Sequence, residues 1–143
     1  MPTQQLPALE YNQWIESRIT LHLILQIIGK TKISLTHRKN HWWYITLHPS
    51  SRGMSTYNIP LDGGLEALDL HFDIEEKAVI LQASNGKKLA VDLSDSPTVA
   101  TFYDRFMAAL GEFGLHPKFK MIPLDMTVTQ SFDQITDYHH YNW

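Results

Sequence analysis

Three groups of residues in this chain have the types and spacing that chemistry asks for. Arg18, His22 and Gln26 are four apart, so on a helix they lie one above another on a single face. Asp69, His71 and Asp73 recur at every second position, which on a strand puts two carboxylates and an imidazole on one side. An oxygen and nitrogen donor set of that kind could hold a divalent metal if His37 or His48 came near. The run His41-Trp42-Trp43-Tyr44 sets large rings beside histidine, with His48 shortly after. Eight histidines in 143 residues is a high count, and protonating all of them would carry the formal charge from -3 to +5.

Each group has a plainer explanation. The chain has no H-E-x-x-H, no cysteine pair and no calcium loop, so Asp69, His71 and Asp73 read first as the solvated face of a strand. G-x-S-x-G is absent and Ser50, Ser51 and Ser55 lie in turn-like sequence, so serine hydrolysis is not expected. Gly63-Gly64 precedes a strand and lacks the lysine and serine of a phosphate loop. His139-His140 suits a metal-scavenging end or simple disorder. Arg18, His22 and Gln26 sit on a segment otherwise apolar on most sides. They must face water, share an interface, or line a pocket with His22 as its working group, the first two being preferred.

These residues have to be positioned by elements the pattern predicts. Residues 11–28 read as a helix that starts after Pro7 and Glu10 and stops at Gly29. Leu21, Leu23, Ile24, Leu25, Ile27 and Ile28 point in nearly every direction, so more than one side of it needs apolar company. Alternation then predicts six strands, at 32–37, 41–48, 54–61, 66–74, 78–84 and 87–93, with Asn85-Gly86 as a type I′ turn. Connections this short imply an antiparallel meander. A second helix is expected over residues 97–113, capped at Ser96-Pro97 and closed by Gly114. Residues 119–128 return to an extended pattern that could add an edge strand, and 129–143 have no clear period and read as an arm or tail.

On the 66–74 strand Leu68, Leu70, Phe72 and Ile74 form the core row. On the 41–48 strand the Trp43, Ile45 and Leu47 row is assigned to the core, leaving Trp42 and Tyr44 on the polar face. Two rings there would be covered by a loop or the C-terminal arm, by a second copy of the chain, or by a small molecule.

With 43% apolar and 19% charged residues, the chain suits one α+β domain over residues 1–128 followed by the arm. In it a six-stranded, mainly antiparallel meander is covered on one face by two helices. Twelve Lys and Arg against fifteen Asp and Glu leave no cationic surplus, so nucleic acid is not expected as a partner. The absence of cysteine removes disulfides, thiolates and Cys-ligated zinc, and leans towards the cytoplasm. Met1-Pro2-Thr3-Gln4-Gln5 has neither the basic nor the apolar part of a leader, and the apolar stretch 19–28 is about half a membrane span, so no membrane is expected. No cofactor signature is present.

The run Asn40-His41-Trp42-Trp43-Tyr44-Ile45-Thr46-Leu47, followed by Arg52-Gly53 and preceded by Leu21-His22, Gln26 and Gly29-Lys30, resembles the N-terminal signature of a bacterial domain family of unknown function. Leu6-Pro7 with Trp14, and the helix from Phe102-Tyr103 to Leu110, add to the resemblance. Longer members are roughly double this length, with a second half that varies the first, which implies that two copies of this chain could pair as a homodimer. The resemblance brings no catalytic residue. The expected function is therefore a non-enzymatic ligand-binding or assembly module. Its candidate binding residues are Arg18, His22, Gln26, His41, Trp42, Tyr44 and His48. The alternative is a small enzyme or metal-binding protein using His22, His41, His48, Asp69 or His71.

Overall fold

The computed structural model describes residues 8–143, so Met1-Pro2-Thr3-Gln4-Gln5 and Leu6-Pro7 lie outside it. After a short 3-10 turn at Tyr11–Gln13, the chain forms helix α1, Ile15–Leu35. The helix does not stop at Gly29 as the sequence suggests. Its buried positions Thr20, Leu23, Ile24, Ile27, Ile28, Thr31 and Lys32 continue the three-and-four spacing through the glycine. The alternation at 32–37 therefore begins in the last turn of the helix, which ends at Leu35, and is not a strand.

The expected strand over 41–48 is also absent. Asn40–Trp42 is a 3-10 turn, and pairing begins only at strand β1, His48–Ser50. Strand β2 is Gly53–Ser55, β3 Ile59–Leu61, β4 Glu66–Asp73, β5 Ala78–Ala83 and β6 Lys88–Asp92. All pairings are antiparallel in the order β1-β2-β4-β5-β6, with β3 also on β4. The single strand expected at 54–61 is thus split into β2 and β3, which share one edge of β4. Tyr57 sits at φ 51 between them, and the Thr56 hydroxyl accepts from the Leu70 N–H in place of a backbone carbonyl. The 83–87 hairpin also departs from type I′, because Gly86 has positive φ and Asn85 does not. Gly86 N–H donates to the Ala83 carbonyl and Ala83 N–H to Lys87, the pattern of a three-residue loop ending in a glycine bulge.

Helix α2 spans Val99–Gly111 and is capped by the Thr98 hydroxyl, which accepts from Thr101 N–H at 3.1 Å; Ser96, at φ 53, turns the chain instead. The remaining free N–H groups of its first turn are met from far along the chain. Val99 N–H donates to the Tyr138 carbonyl and Ala100 N–H to that of Ile135. Phe132 and Ile135 of the same C-terminal segment are fully buried, the Tyr141 hydroxyl donates to the Pro97 carbonyl, and Trp143 stacks on Phe72. One core results: Leu23, Ile24, Ile27 and Ile28 of α1 and Phe102, Phe106 and Leu110 of α2 meet Leu68, Leu70, Val79, Leu81 and Val91 of the sheet. Asp69, His71 and Asp73 lie on the opposite face of β4.

Candidate functional site

No edge strand forms over residues 119–128. Residues 118–125 instead run beside α1, where a chain lying on a helix finds no backbone ladder and needs side chains for its polar groups. Two residues of α1 supply them. Ser34 Oγ donates to the Lys118 carbonyl and accepts from its N–H at 3.1 and 2.9 Å. Gln26 Nε2 donates to the Leu124 carbonyl at 2.7 Å, and Gln26 Oε1 accepts from Leu124 N–H at 2.8 Å.

Between helix and segment lies an open furrow. Its larger part, about 560 Å³, is lined by His22, Gln26, Gly29, Lys30, Leu47 and Leu124 among others. An adjoining dent of about 380 Å³ shares His22 and Asp125 with it and reaches Arg18. The stripe of Arg18, His22 and Gln26 therefore runs along one furrow, but its members have separate tasks. Arg18 donates to the Tyr11 hydroxyl at 2.6 Å and lies over the Tyr11 and Trp14 rings. Gln26 holds the far wall. Leu124 fixes which way that amide points, and its Nε2 also lies 3.3 Å from the His22 Nε2. Lys30 has no carboxylate within 4 Å among the described residues, and burial, helped by the nearby Lys120, pushes its pKa down.

The aromatic run lies elsewhere. The row placed in the core by alternation is outside it: Trp43 is 73% exposed and Ile45 is exposed, whereas Tyr44 is buried and only Leu47 packs on the core. The cause is the backbone, since His41 and Trp42 are at φ 55 and 59 and the period of two fails there. Trp42 is 56% exposed, stacks on Tyr44 at 6.0 Å and carries the Arg38 guanidinium at 5.0 Å. His48 is apart from these, stacked on Tyr57 at 4.5 Å. The C-terminal segment does not cover the exposed indoles, having gone instead to Phe72 and α2. His140 pairs with Glu16 at 3.0 Å.

On the outer face of the sheet, Asp69 accepts from Ser55 Oγ at 2.6 Å, Ser50 Oγ lies 2.7 Å from His71 Nε2, and His71 Nδ1 lies 3.9 Å from Asp73. No group of three His, Cys, Asp or Glu among the described residues is placed to hold a metal ion. The Ser50, His71, Asp73 line has the order of a hydrolytic triad, yet 3.9 Å is too long for a hydrogen bond, and the Asp73 charge is already taken by Arg52 at 2.9 Å. Asp73 is a structural pin. Burial alone would push its carboxyl up, but the Glu76 N–H and the Arg52 guanidinium outweigh that and hold it below the usual carboxylate range. A depressed folded pKa stabilises above the unfolded value near 4 and is lost as pH falls through the folded one. Asp73→Asn should therefore cost about 1–2 kcal/mol at pH 7 and much less at pH 3, read by urea unfolding at both.

A family model described as a family of unknown function, DUF5996, matches residues 6–143. The chain belongs to the DUF5996 family. No curated protein and no solved structure gives a match.

One signal in this DUF5996 sequence escapes a net-charge count. Residues 17–61 hold six Lys and Arg and four His without a single Asp or Glu, while thirteen of the fifteen carboxylates fall in 62–143. The overall charge of -3 averages two unlike parts. The acid-free part builds the floor of the furrow and the whole aromatic turn.

Proposed function

We propose that this DUF5996 chain is a non-enzymatic binding module whose α1 furrow holds a small amphipathic anion. Apolar walls from Leu25, Ile33, Leu47 and Leu124 suit the ligand's carbon skeleton, and Lys30, with no carboxylate within 4 Å among the described residues although Asp125 also lines the furrow, suits its charge. The observation that carries this is Gly29. A glycine inside a helix costs about 0.5–1 kcal/mol relative to alanine, and a Cβ at this position would meet nothing within 4 Å, so packing does not require its absence. What the missing side chain leaves is bare backbone at the furrow.

Gly29→Ala should stabilise the protein by about 0.5–1 kcal/mol while weakening ligand binding, a pair of effects that unfolding cannot imitate. Thermal shift against a panel of small carboxylates and phosphates, run on the native chain, Gly29→Ala and Lys30→Met, checks it. A response that both substitutions leave intact counts against the furrow.

A second function is self-association through the same side, favoured by Ile33, Ile122 and Leu124, which are exposed. A homodimer by mass measurement that Leu124→Glu reduces to monomer would support it; a monomer at high concentration would remove it. The enzymatic alternative has to work with His22, His41, His48 and His71 distributed over the furrow, the turn and two strands. A cytoplasmic setting fits a chain with no thiol to oxidise. No helix among the described residues is long and apolar enough to cross a membrane.

A further inference from the structure

The turn after α1 is built against two ordinary preferences. His41 and Trp42 are consecutive non-glycine residues in the left-handed region, at φ 55 and 59, a conformation unfavourable for residues with a Cβ. The conformation then exposes Trp43 and much of Trp42 to water. Single non-glycine residues at positive φ also carry turns at Tyr57 and Ser96, but only here among the described residues are two of them consecutive. Here asparagine is adjacent, at Asn40, and the strained positions carry an imidazole and an indole.

A cleft of about 560 Å³ opens at this turn, lined by Arg38, Lys39, Asn40, His41 and Trp42. No acid lines it, and neither Arg38 nor Lys39 has a carboxylate within 4 Å among the described residues. Near Lys39, Lys32 is buried with its ammonium on the Thr46 carbonyl at 2.5 Å. Burial and then the like charge of Lys39 push the Lys32 pKa down against the opposing pull of Asp69, so an anion held at Lys39 would offset that like charge. The guanidinium, ammonium, amide and imidazole are all donors that phosphate oxygens accept. Beside them the Trp43 indole, tilted at 38° to His41 and 5.7 Å from it, offers a flat apolar surface that is largely exposed among the described residues.

We propose that this cleft binds a nucleotide, with the phosphate on Arg38, Lys39 and Asn40 and the base against Trp43. A ligand that joins a phosphate to a planar ring matches both halves of the site, whereas inorganic phosphate or a bare aromatic matches one. The same chemistry is presented by a free mononucleotide and by single-stranded nucleic acid, where cationic side chains follow the backbone and bases stack on aromatic rings. The site is separate from the α1 furrow and stands whether or not the furrow binds an anion.

The test is quenching of tryptophan fluorescence at low ionic strength, with adenosine monophosphate, inorganic phosphate, adenosine, a thymidine ten-mer and a poly-glutamate peptide as probes. Adenosine monophosphate is expected to quench and saturate, with phosphate and adenosine each at least tenfold weaker. Trp43→Leu, at an exposed position, should weaken it about tenfold with the circular dichroism spectrum unchanged, and Arg38→Gln should do the same while flattening the salt dependence. A ten-mer that binds more tightly than the mononucleotide on the same two residues makes the ligand a strand; equal binding makes it the free nucleotide. The proposal is overturned if neither nucleotide probe quenches, if inorganic phosphate binds as well as the mononucleotide, or if poly-glutamate competes equally with the same dependence on Arg38 and Trp43.

Discussion

Gly53→Ala is expected to destabilise the protein by about 2–3 kcal/mol or more, enough to consume much of the stability of a domain this size. A Cβ built at Gly53 would lie 2.0 Å from the Phe72 carbonyl oxygen and 3.1 Å from its carbon, and φ is +154°. Both atoms belong to the backbone of β4, which is held by β5 on its other edge and cannot retreat. The clash can be relieved only by moving β2. That gives up the Gly53 to Asp73 and Met54 to Phe72 pairings and draws Arg52 off Asp73. Urea unfolding measures the loss directly, and a change within about 0.5 kcal/mol would show that β2 is not anchored as described. The comparison with Gly29→Ala is built in: the same exchange is expected to have opposite signs at the two glycines, because one faces a carbonyl and the other faces open space.

Phe132→Ala is expected to cost about 3–5 kcal/mol, the range for removing a fully buried phenyl ring from a packed core. Phe132 is at zero exposure, beside Ile135, and its N–H donates to the Met121 carbonyl. The residues after it satisfy the first N–H groups of α2. The substitution should therefore lower the global unfolding midpoint and also loosen the start of α2. Hydrogen exchange at Val99 and Ala100 against the middle of α2 reads the second effect. If residues 129–143 were an appendage to an independent domain, both measurements would be unchanged.

How much of this was legible follows from where the sequence repeats itself. Strands β4, β5 and β6 were readable to within about a residue, because Leu68, Leu70 and Phe72 alternate with polar residues on β4, while β5 is a short apolar run separated from β6 by Asn85-Gly86. Helix α2 was readable from Phe102, Phe106 and Leu110 for the same reason. Its cap was displaced by two residues because Ser96 and Thr98 are both competent and only the local φ chooses between them. The end of α1 was misread because Gly29 looks like a stop and Lys32-Ile33-Ser34-Leu35 alternates by coincidence; in the helix, Ile33 is exposed and Leu35 packs on the core.

The candidate site was half legible. The α1 stripe could be found by spacing, but the wall facing it comes from Leu124, 98 residues away from Gln26, and nothing local pairs those positions. The aromatic run stands out by its rings but reads as a strand, because two positive φ angles at non-glycine residues leave no trace in composition. The charge asymmetry was visible throughout and was lost only by summing over the whole chain.

The wall of the furrow has a property that a sheet edge would lack. A strand is released only by breaking a ladder, cooperatively, whereas residues 118–125 are fastened to α1 by the amide of Gln26 and the hydroxyl of Ser34. Each fastening is a local contact of modest net strength that one rotamer change can undo. The two catches do not depend on each other, so losing one leaves the other, together with Phe119 and Met121 packed on the core, to keep the segment beside the helix.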